Sequence, residues 1–136
     1  MATVSIDGGT AYNTTYSTIP PQAYVQWYQS PTLSDGKHNI TVSHLIQTSV
    51  DMALITVGPN TSLQDKTLIA DDDNSAIEYS GTWRRDTTPF NAGTLPDGFP
   101  VGNSTHRSTT AGDIITFRFT GKSVPNLCPM DSQTTK

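Results

Sequence analysis

Cysteine is nearly missing. Cys128 stands alone in 136 residues, which excludes an intramolecular disulfide and denies a cysteine-based zinc site its partners. Charge is scarce as well: only 15% of residues are Asp, Glu, Lys or Arg, against about 25% in ordinary globular chains. Eight basic residues face twelve acidic ones, for a net charge of −4. The electrostatic footprint of a nucleic-acid binder is therefore absent. No run approaches the roughly 18–20 apolar residues that a membrane helix needs. Residues 1–7 have neither the basic region nor the apolar run of a signal peptide, so a targeting signal is expected outside this chain. A hydrophobic fraction of 34% would suit a disordered chain only alongside a high net charge, which is lacking.

What is abundant is hydroxyl: 13 Ser and 22 Thr make up about a quarter of the chain. Among seven asparagines, four begin Asn-X-Ser/Thr sequons, Asn13, Asn39, Asn60 and Asn103, where chance in such a composition gives about two. Thr-rich loops produce sequons by accident. The alternative is a secreted glycoprotein in which these four asparagines carry glycans.

The periodicity is that of strands. Val4 and Ile6 alternate with Thr3, Ser5 and Asp7 before Gly8-Gly9. In residues 24–29, Val25 and Trp27 share one face and Tyr24, Gln26 and Tyr28 the other. After the turn signal Asp35-Gly36, Ile40 and Val42 point inward while Asn39 and Thr41 point outward. Residues 53–57 read as a more fully apolar strand, and Ile77 and Tyr79 alternate with Glu78 and Ser80. The clearest pattern is 113–120, with Ile115, Phe117 and Phe119 on one face. Residues 86–112 read as a long surface loop or as two short strands with turns. The one plausible helix, around 43–53, is opposed by Gln47-Thr48-Ser49-Val50. Short strands with turn signals and almost no helix predict an all-β, antiparallel β-sandwich. Its strands fall in 1–58 and 68–124, with a linker at 59–67 and a disordered tail at 125–136.

These residues resemble a family. Asp71-Asp72-Asp73, Ile77-Glu78-Tyr79-Ser80-Gly81-Thr82-Trp83, Asn103-Ser104-Thr105-His106-Arg107-Ser108, Ala111-Gly112-Asp113 and Phe117-Arg118-Phe119-Thr120-Gly121 look like the opening half of a fungal, chiefly basidiomycete, extracellular jelly-roll domain. That domain resembles galactose-binding-like modules. Val4-Ser5-Ile6-Asp7-Gly8-Gly9, residues 29–36 and His38-Asn39-Ile40-Thr41-Val42 look like its closing half. The halves come in reversed order. Either the chain is a circular permutant whose halves close on each other, or it is a tandem fragment; the single permuted sandwich is the favoured expectation. The resemblance implies an extracellular or cell-surface glycoprotein, often with a membrane-anchored parent. It also implies a further apolar strand after Val124, which Pro125-Asn126-Leu127-Cys128-Pro129 does not supply.

Candidate ligand residues are Tyr24, Tyr28, Trp83, Arg84, Arg85 and His106. Aromatic planes suit the C–H faces of sugar rings, and arginines grip carboxylate or sulfate. The favoured reading of Trp83 is core or rim packing, and that of Arg84, Arg85 and Arg107 a solvated basic loop. Asp71, Asp72 and Asp73 offer carboxylates to calcium but lack EF-hand spacing; Asx-turns would occupy them as well. His38 and His106 read as solvated side chains. No Gly-X-Ser-X-Gly elbow is present, and the chain has one Glu. No cofactor is implied beyond that calcium. The expectation is a non-enzymatic module that binds glycans. A spacer without a ligand is the alternative, and a small glycoside or ester hydrolase a more distant one.

Overall fold

The computed structural model describes residues 2–14, 28–45, 48–60, 62–89 and 98–128. The described residues are all-β, with antiparallel sheets. The strands are β1 (Ala2–Ile6), β2 (Tyr12–Thr14), β3 (Gly36–Ser43), β4 (Thr48–Val50), β5 (Met52–Thr56), β6 (Thr67–Asp71), β7 (Ile77–Ser80), β8 (Arg84–Asp86), β9 (Thr105–Ser108), β10 (Ile114–Gly121) and β11 (Ser123–Cys128). Within segment 43–53, Ser43, residues 48–50 and residues 52–53 are strand, and 46–47 lie outside the described residues.

One layer is a five-stranded sheet in the order β2-β1-β3-β10-β7. Its register aligns the apolar alternation of each strand. Ile6 pairs with Ile40, Ile40 with Phe117, and Phe117 with Ile77. Val4, Val42, Ile115 and Tyr79 form a parallel row. The opposite face carries Ser5, Thr41, Thr116 and Glu78 in the same register. One apolar and one polar face is what a half-buried antiparallel sheet requires. The other layer consists of two three-stranded sheets, β11-β5-β6 and β4-β9-β8. Only Asp51 separates β4 from β5, so the two sheets meet at that residue. Val50 from one and Ala53 and Ala70 from the other join Val4, Ile40, Val42, Ile77, Ile115, Phe117 and Phe119 in one core. Each sheet combines strands from 1–58 with strands from 68–124. Residues 59–67 lie between β5 and β6, which pair with each other.

Three expectations are corrected. Tyr28 is not an exposed platform: it is 4% exposed, and its hydroxyl lies 2.7 Å from that of Tyr12. The parity argument assumed an unbroken strand from Tyr24, and residues 15–27, with Tyr24, Val25 and Trp27, lie outside the described residues. The start of the expected tail is strand β11, hydrogen-bonded to β5. Pro125 obscured it. Proline is tolerated on an edge strand or at a bulge, and the register shifts between Ser123 and Asn126. Residues 129–136 lie outside the described residues.

His38 is not solvated either. It is 8% exposed, with Nδ1 2.7 Å from Asp7 Oδ2 and Nε2 2.8 Å from the Ser34 carbonyl. Two acceptors on two ring nitrogens select the imidazolium. The hydrogen bonds that His38 donates to Asp7 and to the Ser34 carbonyl raise its pKa. The Asn39 backbone N–H, then His38, lower that of Asp7. A raised histidine stabilises the fold fully below its unfolded value of about 6.5 and loses that contribution as pH rises through the folded value. Asp7 acts in the opposite sense, losing its contribution as pH falls through its lowered value. Wild type is therefore expected to exceed His38→Gln in Tm by the most in mildly acidic buffer, with the gap narrowing as pH rises. A pH-independent gap would refute the imidazolium.

Candidate functional site

The pairing of β5 with β6 sets Met52 opposite Asp71. One step further, the Asp72 N–H donates to the Asp51 carbonyl at 2.9 Å. The chain then turns: the Asn74 N–H donates to the Asp71 carbonyl, and Asn74 Oδ1 accepts the Ala76 N–H. The Asx-turn expected in this run thus belongs to Asn74. The aspartates serve other partners.

Asp72 is 1% exposed. It accepts the Ser104 hydroxyl at 2.9 Å on Oδ1 and His106 Nδ1 at 2.7 Å on Oδ2. Asp73 is 41% exposed; it pairs with Arg85 at 2.7 Å and accepts a second bond from Ser104 at 3.1 Å. The Arg85 hydrogen bond holds its carboxyl below the usual range. Asp51 is fully buried. Its Oδ1 accepts the Val101 N–H at 2.9 Å, while Oδ2 has no hydrogen-bond partner. Burial, reinforced by the charges of Asp72 and Asp71 against the pull of the Val101 N–H, pushes its pKa up to about 7. Asp71 Oδ1 is likewise buried and unpartnered; burial first, then the Asp72 charge, raises its pKa.

A short 3-10 turn, Val101–Asn103, closes over these carboxylates. Gly102 sits at φ +64°, and a Cβ there would come within 2.1 Å of Asp71 Oδ2. Left-handed backbone and close approach both demand glycine at this position. Gly102→Ala is expected to lower the urea midpoint of unfolding and to displace Asp71, which amide chemical shifts near Val101 would report. An unchanged midpoint would contradict that packing.

Beside the acids stands a column of rings. His106 stacks on Tyr79 at 4.1 Å between centroids and 12° between planes, and Tyr79 contacts Trp83 at 5.0 Å. The Tyr79 hydroxyl donates to the Asp72 carbonyl at 3.1 Å. Trp83 is partly buried, and its Nε1 is buried without a partner. Strand pairing sets Arg85 opposite His106 and Arg84 opposite Arg107.

Of the six candidate ligand residues, the fold brings Trp83, Arg84, Arg85 and His106 together on β8, β9 and the residue preceding β8. It places Tyr28 in the core. His106 is in strand and 18% exposed, not in a solvated loop. The basic cluster is largely neutralised: Arg85 pairs with Asp73, and Arg107 with Asp86 at 2.5 Å. Bonds from Thr88 and Arg107 bring the Asp86 pKa down to about 2. Asp72, Asp73 and His106 offer ligand atoms within 4.8 Å of one another. Asn13, Asn39, Asn60 and Asn103 are all exposed. Among the described residues, no helix is long and apolar enough to cross a membrane. Asp51 and Ser104 are the site residues that sequence reading did not single out. No family model, curated protein or solved structure matches this chain.

Proposed function

We propose that the chain is a non-catalytic β-sandwich module of a secreted or cell-surface glycoprotein, binding carbohydrate along β8 and β9. The observation that carries this reading is the meeting of the Trp83–Tyr79–His106 ring column with the exposed Arg85–Asp73 pair. Sugars bind where an aromatic surface meets a few fixed polar groups. Arginine and carboxylate supply the paired donors and acceptors that sugar hydroxyls match. A non-catalytic role is supported by the hydrogen bonds of the serine and histidine at this site: Ser104 donates to Asp72 and Asp73, and His106 Nδ1 also bonds to Asp72. A hydrolase would instead need the serine on the histidine. Exposure of the four sequon asparagines supports a glycoprotein. The sharing of every sheet by both halves supports a single sandwich of the jelly-roll, galactose-binding-like kind in permuted order.

A glycan array followed by calorimetry tests the reading. Wild type is expected to bind a defined sugar set. Trp83→Ala and Arg85→Ala should each weaken that binding about tenfold, the loss of roughly one good contact. No binding at millimolar sugar would leave the module a structural spacer.

A further inference from the structure

We infer that the buried carboxylates at the joint of the two small sheets, Asp51 and Asp71, form a binding site for a calcium-type divalent cation, with Asp72 as the adjoining negative charge. The inference goes beyond the carbohydrate reading and does not depend on it.

The chain brings these acids together by register. Asp51 separates β4 from β5, Asp71 ends β6, and the Asp72 N–H donates to the Asp51 carbonyl. The two carboxylates abut consecutive residues of one turn: Asp51 Oδ1 takes the Val101 N–H, and Asp71 lies against Gly102. Proximity of acids alone is weak grounds for a site. The deciding observation is that Asp51, wholly buried, leaves Oδ2 without any donor, and that Asp71 Oδ1 is buried in the same condition. Native proteins pair buried polar atoms, because leaving one unmade costs about 1–3 kcal/mol, and more for a charged group. Two such oxygens beside one turn call for a positive partner.

The neighbouring basic side chains are engaged elsewhere. Arg85 is on Asp73, Arg107 on Asp86, and His106 Nδ1 on Asp72 Oδ2. The unpartnered atoms of Asp51 and Asp71 are both carboxylate oxygens. Hard oxygen donors, with carboxylates in the majority, select calcium over softer transition metals. Asp72 keeps both oxygens hydrogen-bonded to Ser104 and His106, so its role is charge and orientation. This site lies beside the Asp72–Asp73–His106 group, whose nitrogen donor would favour zinc.

Calcium titration of EDTA-treated, dialysed protein by calorimetry, with a parallel thermal melt, decides the matter. Wild type is expected to take up calcium saturably, with Kd in the range of about 0.1–1 mM found for extracellular modules, and to gain Tm as it does so. Asp51→Asn retains the carbonyl acceptor for Val101, and it and Asp71→Asn should each weaken uptake at least about tenfold, the loss of one charged ligand. Arg118→Ala, an exposed change on the polar face of the five-stranded sheet, should leave uptake nearly unchanged. The inference is overturned if wild type shows no saturable uptake by about 10 mM, well above that range, or if Asp51→Asn and Asp71→Asn both bind as wild type does. It is equally overturned if the protein binds zinc but not calcium and His106→Ala abolishes that binding. Sugar binding, assayed separately on the same EDTA-treated protein, keeps failure of the carbohydrate reading distinct from failure of this one.

Discussion

Phe117→Ala is expected to destabilise the protein by about 3–5 kcal/mol, a large part of the 5–15 kcal/mol that typically holds a domain folded. Phe117 is fully buried on β10, an interior strand of the five-stranded sheet. It sits between Ile40 on β3 and Ile77 on β7, and stacks on Phe119 at 5.4 Å and 15°. Truncation removes a ring from a row of cross-strand pairs. The neighbours hang from three hydrogen-bonded strands, so they cannot collapse into the void, and the cavity adds to the lost transfer energy. Phe117→Leu keeps much of the volume and should cost less. Arg118 supplies the control. It faces the opposite side of the same strand, and it and Glu78, its partner, are each 53% exposed. An exposed pair of this kind is worth at most about 1 kcal/mol. Urea unfolding checks the set: the midpoint should fall steeply for Phe117→Ala and little for Arg118→Ala, with the slope retained. Similar midpoints for the two variants would mean that the sheet does not bury the face assigned to it.

The contrast between these neighbours shows where the sequence was legible. Strands β1, β3, β7 and β10 alternate apolar with polar residues, and each buries the apolar set. One-sided burial writes itself into the order of residues, because side chains point to opposite faces at period two. Strand β11 carries no such signal. Pro125 interrupts it, and its place comes from pairing with β5, about seventy residues earlier in the chain. Tyr28, which is buried, shows the limit of parity: alternation sorts residues into two faces but does not say which face is covered.

The site was legible as residue types and hidden as partnerships. Asp71, Asp72, Asp73, Trp83, Arg84, Arg85 and His106 stand out by chemistry. That Arg85 faces His106, and that Asp73 neutralises Arg85, follows from the β8–β9 register and the preceding turn. Asp51 is the instructive omission. A lone acid between Val50 and Met52 reads as the end of one apolar run and the start of the next. The one signal available was its charge amid apolar neighbours, since a buried acid needs a partner. Its neighbour Asp72 lies at a distance along the chain that only the β5–β6 pairing closes.

Asp72→Ala should cost about 3 kcal/mol or more, because it removes two hydrogen bonds to a buried carboxylate at about 1.5–3 kcal/mol each. Ser104, fully buried, would retain only its longer bond to Asp73. His106 would lose the acceptor that fixes its ring against Tyr79. Asp72→Asn separates packing from charge. The amide matches the carboxylate in volume, but it offers one acceptor oxygen to two donors. It should therefore recover part of the loss, not all. The same substitution removes a negative charge beside Asp51. Burial is the largest cause of the raised Asp51 pKa of about 7, and the Asp72 charge adds to it, so that pKa should fall in Asp72→Asn without returning to the ordinary carboxylate value. Carboxyl-carbon NMR titration in calcium-free buffer would follow Asp51 directly, and chemical denaturation would supply the stability change. A variant with both the wild-type midpoint and the wild-type Asp51 titration would show that Asp72 neither anchors β9 nor faces Asp51. The expected result, a weakened fold together with an Asp51 that ionises more readily, would locate the carboxylates at one joint and make their mutual repulsion the feature that a bound cation relieves.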